Sequence, residues 1–379
     1  MLLAVFLLGA GVRLALLPLA AVGDLWPDER TYLAVAANLR EGRGYSAAPE
    51  IDKQTFVAPG YPTFLAAFGG SPTAVRVAQA VLGGLAAAAL AGAAMLLYGT
   101  LGAAVAGAAF ALYPSFVYYS DRFLAEALYL PLLCFIIFLA AATARRGGLL
   151  LCAAMGLATA AAALARPALL PLAAVLLLVS LRRIRLVGVA VFAICLAAGL
   201  APWWARNASL HGRFVPFTTG AGWSLYESNN PTATGGVKEG TWPIESRLAG
   251  LDEAAADALL ASEARRFIVE NPGRFLRLAL VKESRTWSPV PHAPGFSSGS
   301  RAIVAAASYV LLLGLGIAGV AAGLARGMPI ALGLLPVVVT AAAHAVYLGS
   351  VRYRAPAEVG LALLAGCAAG ALLERGRRG

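Results

Sequence analysis

Apolar blocks of 15 to 26 residues dominate this sequence, interrupted by short Arg-bearing joints and two long polar stretches. A helix crossing a hydrocarbon core of ~30 Å needs ~20 such residues. Ten blocks fit that requirement, at about 2–22, 74–98, 101–120, 123–144, 149–165, 167–181, 186–205, 302–325, 328–349 and 356–373. The spacing predicts an all-α polytopic membrane protein of about ten transmembrane helices. Composition excludes the alternatives: 60% of residues are hydrophobic, 13% are charged, and the mean hydropathy is +0.76. A soluble domain carries about 25% charged residues. The first block has no basic stretch before it and is interrupted by Arg13, so it reads as an uncleaved span rather than a signal peptide.

The net charge of +11 is positional. The joints after even-numbered spans and the C-terminal tail hold nine basic residues (Arg145, Arg146, Arg182, Arg183, Arg185, Arg326, Arg375, Arg377 and Arg378) against one acid, Glu374. The first long loop, 24–72, holds four basic residues against six acids. By the positive-inside rule the joints and both termini are expected in the cytoplasm, and the loops 24–72 and 206–301 outside. The basic pI is then a topological signal and nucleic acid is not an expected partner. Four cysteines, all within apolar blocks, and three scattered histidines give no disulfide framework or zinc spacing.

Chemistry needing carboxylates is therefore expected on the outer side. There Pro27-Asp28-Glu29 opens a helical run ending near Gly42, with an apolar stripe at Tyr32, Val35/Ala36 and Leu39. Pro27 suits the first helical position and the two acids suit the positive end of the helix dipole. Such a helix suits the membrane surface, with two carboxylates beneath the end of span one. The acids either start a helix and nothing more, or serve a cavity between spans. Asp121 and Glu126 form a second acidic group at the start of span four. Glu126, inside an apolar run, is expected to face a cavity or an Arg. Cationic candidates for a phosphate are Lys53, Arg166, Arg206, Arg352 and Arg354, each of which could instead snorkel to lipid headgroups.

In order along the chain stand Asp28-Glu29 with Tyr32, Gly42-Arg43-Gly44-Tyr45, Pro59-Gly60-Tyr61-Pro62, Arg76-x-x-Gln79 and Leu112-Tyr113-Pro114. Asp121, Glu126, Arg166-Pro167, Pro202-Trp203-Trp204-Ala205-Arg206-Asn207, Asn229-Asn230-Pro231, Asn271-Pro272-Gly273 and Arg352-Tyr353-Arg354-Ala355-Pro356 follow. This series resembles the GT-C glycosyltransferases, in the branch of the protein O-mannosyltransferases and the lipid A aminoarabinose transferase. The resemblance implies a polyprenyl-phosphate sugar donor, a lipid, glycan or protein acceptor outside the membrane, and a catalytic site at Asp28 and Glu29, with Asp28 as the base and Glu29 as its neighbour or a second acceptor-binding group. Substrate contacts are expected from Lys53, Tyr61, Arg76, Asp121, Glu126, Arg166, Arg206, Asn229, Asn230, Arg352 and Arg354. Larger members carry a soluble C-terminal domain, and the sequence ends six residues after span ten, which leaves the acceptor class open. The module is expected over 1–205, further spans over 302–379, and between them an outer cap over 206–301, with an ordered loop from Gly220 to Gly236 and two helices, 252–270 and 273–287, broken at Asn271-Pro272-Gly273. Some members use a divalent metal, and Asp28 with Asp121 leaves that option open. A lipid-linked glycan flippase and a non-catalytic envelope-assembly subunit are the alternatives.

Overall fold

The computed structural model describes residues 1–19, 25–47, 54–179, 186–237, 242, 244–293 and 295–375. Every regular element among them is helical. Among the described residues five helices are long and apolar enough to cross a membrane, and four shorter helices of 10–17 residues are also apolar. Apolar side chains on the outside support the same reading. Helix α1 (Leu2–Leu16) buries Val5, Gly9, Ala10 and Arg13 on one face, while Leu3 and Leu7 are exposed on the other. In water that pattern would be inverted.

After α1 come the short α2 (Pro27–Arg40) and α3 (Gly60–Ala66), then α4 (Pro72–Leu112). Helix α4 is a hairpin rather than one rod. Gly99 adopts φ 78° and ψ −168°, a conformation open to glycine, and a Cβ on Gly107 would lie 2.9 Å from that of Ala91. In a straight helix those residues would be about 24 Å apart. The two arms thus match the two separate spans expected over 74–98 and 101–120, with the second arm ending early at Pro114. There follow α5 (Pro114–Asp121), α6 (Glu126–Arg146), α7 (Leu149–Ala165), α8 (Leu170–Val179) and α9 (Leu186–His211).

Four helices then lie outside the apolar series: α10 (Ala221–Ser228), α11 (Glu245–Leu248), α12 (Glu253–Glu270) and α13 (Pro272–Thr286). They gather a small core of their own from Leu225, Tyr226, Trp242, Ile244, Leu260 and Ala264. The break at Asn271-Pro272 falls where the sequence places it. The stretch 220–236 departs from the expected ordered loop, because Ala221–Ser228 is helical and a Cβ on Gly222 would meet the Asp257 carbonyl oxygen at 2.0 Å. Helices α14 (Gly299–Arg326), α15 (Ala331–Val346) and α16 (Ala355–Arg375) end the chain.

Helix α16 is the buried axis of the bundle. Without a hydrophobic force between helices in lipid, close approach of small residues supplies the contact. A Cβ on Gly366 would sit 2.6 Å from the Gly102 carbonyl oxygen of α4, and one on Gly360 would sit 2.3 Å from that of Gly333 on α15. Polar ties mark two ends. At one, the Tyr98 hydroxyl donates to the Pro329 carbonyl at 2.7 Å. At the other, Tyr113 donates to Glu358 at 2.8 Å, and Arg354 ion-pairs with the same carboxylate at 2.7 Å. The candidate site lies at this second end, under α2 and α3.

Candidate active site

Pro27 starts α2, and the backbone N–H of Trp26 donates to Glu29 Oε2 at 2.8 Å. The other oxygen of Glu29 accepts from the Phe123 N–H at 2.9 Å, and Arg122 ion-pairs with the same carboxylate. Glu29 is 1% exposed. Its acceptor sites are spent inside the protein, which corrects the expectation that it meets substrate. It ties α2 to the α5–α6 connection and thereby fixes Asp28. Consecutive residues on a helix point about 100° apart, so burying Glu29 turns Asp28 outward, and the Asp28 side chain is 49% exposed.

Four of the expected residues converge. Arg352, in the single turn Val351–Arg354 before α16, donates from Nε and Nη2 to the two oxygens of Glu126 at 2.5 and 2.9 Å. Its remaining Nη1 donates to Asp28 Oδ2 at 2.6 Å. Arg166 stands 4.0 Å from Glu126 Oε1, in the break between α7 and α8 that Pro167 enforces. One planar guanidinium thus grips two carboxylates from α2 and α6, a geometry that a Lys ammonium lacks. Glu126 is fully buried, and two arginines balance it together with Asp28.

The surrounding rings are Tyr129 and Tyr353, 5.6 and 5.0 Å from the Arg166 guanidinium. His344 stacks on Tyr353 at 5.2 Å. Tyr32, one turn after Asp28, feels both carboxylates and both arginines. Its burial, reinforced by Asp28, holds the phenol well above its ordinary range, so it remains a proton donor. Tyr129, Tyr353, His344 and Tyr32 are absent from the residues expected in the site. Their signal was present in part, since Tyr32 and Tyr353 stand four and one residues from Asp28 and Arg352. Beside Arg166 a narrow cavity of about 40 Å³ runs between Leu169, Leu172, Val339, Ala343 and Tyr353, with apolar walls below a cationic rim.

The other expected residues lie elsewhere. Arg76 pairs with Asp121 at 3.3 Å and stacks over Phe123, facing a separate cavity. Tyr61 is buried and donates to Gln79 at 2.6 Å, a packing contact. Arg206 lies over Tyr45 and Trp203 and donates to the carbonyls of Tyr45 and Gln54, fastening the first loop. Asn229 and Asn230 are buried. Asn229 donates to Leu225 and Val346 carbonyls and accepts from Lys282, while Asn230 accepts from Thr232 within a turn. Both amides are thus spent on partners within the protein. Arg354 is 1% exposed and spent on Glu358 and the Ser288 carbonyl. Lys53 lies outside the described residues. A metal between Asp28 and Asp121 does not fit: each carboxylate is matched to a different guanidinium. Among the described residues no three His, Cys, Asp or Glu side chains gather.

No family model matches the chain, and no curated protein does. Among solved structures it is similar to the crystal structure of ArnT from Cupriavidus metallidurans bound to undecaprenyl phosphate. The identity is 16%, the likeness covers 98% of this chain and 77% of that one, and the TM-score is 0.47.

Proposed function

We propose that the chain is an integral-membrane, inverting glycosyltransferase that moves a sugar from a polyprenyl-phosphate donor to an acceptor outside the bacterial cytoplasmic membrane. The observation that carries this reading is the gathering of Asp28, Arg352, Glu126 and Arg166, with Arg166 also lining a small apolar cavity. Sidedness rests on the arginine-rich joints, which charge bias retains in the cytoplasm.

The chemistry assigns each group a task. Asp28, the exposed carboxylate, takes the proton of the acceptor hydroxyl or amine. The freed lone pair attacks the anomeric carbon as its bond to the phosphate oxygen breaks, and the lipid phosphate leaves with one more negative charge. Arg166 and the Nη1 face of Arg352 stabilise that charge, an effect strengthened where water is thin. Glu126 holds both arginines in place and touches no substrate. Entry of the phosphate draws Arg352 from Asp28 and frees the base, so donor binding arms the site. The prenyl chain follows the apolar walls beside Arg166.

Purified protein, given labelled polyprenyl-phosphate sugars and lipid, glycan and peptide acceptors, tests this. Asp28→Asn abolishes transfer while donor binding persists. Transfer at the wild-type rate by that variant would overturn the assignment.

A further inference from the structure

A second cavity, of about 220 Å³, lies between α1, α4 and α5, and its lining contains none of Asp28, Glu126, Arg166 or Arg352. Arg13 enters it from the last turn of the apolar helix α1 and is 3% exposed. Its Nε donates to Ser120 Oγ at 2.9 Å, and its Nη1 donates to the carbonyls of Gly9 and Ala111 at 2.9 and 3.0 Å. The arm is seated by design, because a Cβ on Gly83 would come within 2.3 Å of Nε. Yet Nη2 is buried with no hydrogen-bond partner. Across the same cavity Asp121 Oδ1 is also buried without a hydrogen bond, although it stands 3.3 Å from Arg76 Nε. A buried charged donor left unmatched inside a span is costly to maintain unless something fills the site.

We propose that this cavity binds the headgroup of a membrane phospholipid, with the phosphate on Arg13 Nη2 and Arg76 and an ethanolamine ammonium on Asp121. Arg13 Nη2 lacks an acceptor and Asp121 Oδ1 lacks a hydrogen-bond donor beyond its ion pair with Arg76, and a zwitterionic headgroup answers both. The wall beside them is Leu16, Leu17 and Val117, with Leu16 41% exposed on the outer surface of the bundle, so acyl chains can continue along α1 into the bilayer. The volume suits a headgroup and not a whole lipid.

The test uses the full chain in detergent, with native mass spectrometry and thermal shift against short-chain phosphatidylethanolamine, phosphatidylglycerol, soluble phosphoethanolamine and inorganic phosphate. Phosphatidylethanolamine should bind about tenfold more tightly than phosphatidylglycerol, the worth of one partly buried charge pair. Arg13→Gln should weaken both lipids about tenfold. Asp121→Asn should remove the preference and leave phosphatidylglycerol unchanged. Equal binding of the two lipids by the wild type would overturn the proposal. So would unaltered binding by Arg13→Gln, or soluble phosphoethanolamine binding as tightly as the lipid. The Asp121 side chain is 29% exposed at the end of α5 and asparagine is nearly isosteric with it, so its variant decides the matter even where Arg13→Gln fails to fold.

Discussion

Arg352 meets Asp28 across 324 positions of sequence, Nη1 to Oδ2 at 2.6 Å, while its other two nitrogens hold Glu126. The contact depends on the guanidinium fork and not on charge alone. Arg352→Lys keeps the charge but cannot grip Glu126 at two points and reach Asp28 as well. Transfer from a polyprenyl-phosphate donor should fall by about two to three orders of magnitude, the usual loss for one aimed donor to a leaving oxyanion. Protein yield should change little. A steady-state assay on the purified variant checks this, and near wild-type turnover would show that Arg352 does not attend the leaving group.

Glu126 carries a structural prediction. It is fully buried and is the shared counter-charge of Arg352 and Arg166. Glu126→Ala leaves two guanidinium groups facing each other without it, and removing one partner of a buried pair costs about 3–5 kcal/mol. The thermal transition in detergent should drop sharply, with Glu126→Gln intermediate because its amide oxygen still accepts one hydrogen bond. An unchanged transition for the alanine variant would mean that Glu126 is not the anchor of the cluster.

Much of this arrangement is legible in the sequence, and the illegible part has a physical cause. The apolar blocks, the helix starting at Pro27 and the break at Arg166-Pro167 are local features, written in hydropathy and proline. Asp28, Glu126, Arg166 and Arg352 are recognisable as charges that a membrane tolerates only with a task. What sequence alone does not reveal is which charge meets which. Arg352 and Arg354 are two residues apart in a single 3-10 turn. At three residues per turn they point to different sides, one toward Asp28 and Glu126, the other toward Glu358. Asn229 and Asn230 look like sugar ligands, but their amides satisfy backbone groups where α10 ends, as buried polar side chains do. Glu29 and Asp28 differ only in which side of one helix turn they occupy.

Lys282 predicts a pH dependence. It is fully buried on α13, and its ammonium donates to Asn229 Oδ1 and the Val346 carbonyl at 2.8 Å each, with no carboxylate among the described residues in hydrogen-bond reach. Burial lowers its pKa from 10.5 to about 8. The sign follows directly. Below pH 8 the lysine is charged in both folded and unfolded chains, and the folded state bears the full desolvation penalty. Between pH 8 and 10.5 the folded chain releases its proton first, so stability rises with pH across that window. The gain is of order 3 kcal/mol. Lys282→Met should flatten this rise, as measured by thermal unfolding in detergent at stepped pH. A wild-type stability that falls between pH 8 and 10 while the Met variant follows the same curve would contradict it.

The last prediction concerns the far end of α16. Gly366 packs against Gly102 so closely that a methyl group would lie 2.6 Å from the Gly102 carbonyl oxygen, a backbone atom that cannot rotate away. Gly366→Ala must therefore push α16 off α4, and overpacking of this kind costs about 1–3 kcal/mol. Gly314 on α14 is the control, since a Cβ there meets nothing within 4 Å. Alanine should leave it neutral or slightly more stable through helix propensity. The consequence reaches the site because α16 follows the turn bearing Arg352, about 21 Å along the helix from Gly366. Packed helices transmit such strain rather than absorb it. Gly366→Ala should thus lower both the unfolding temperature and the transfer rate although it touches no substrate, and Gly314→Ala should lower neither. Equal behaviour of the two variants would show that the contact between α4 and α16 does not set the position of Arg352.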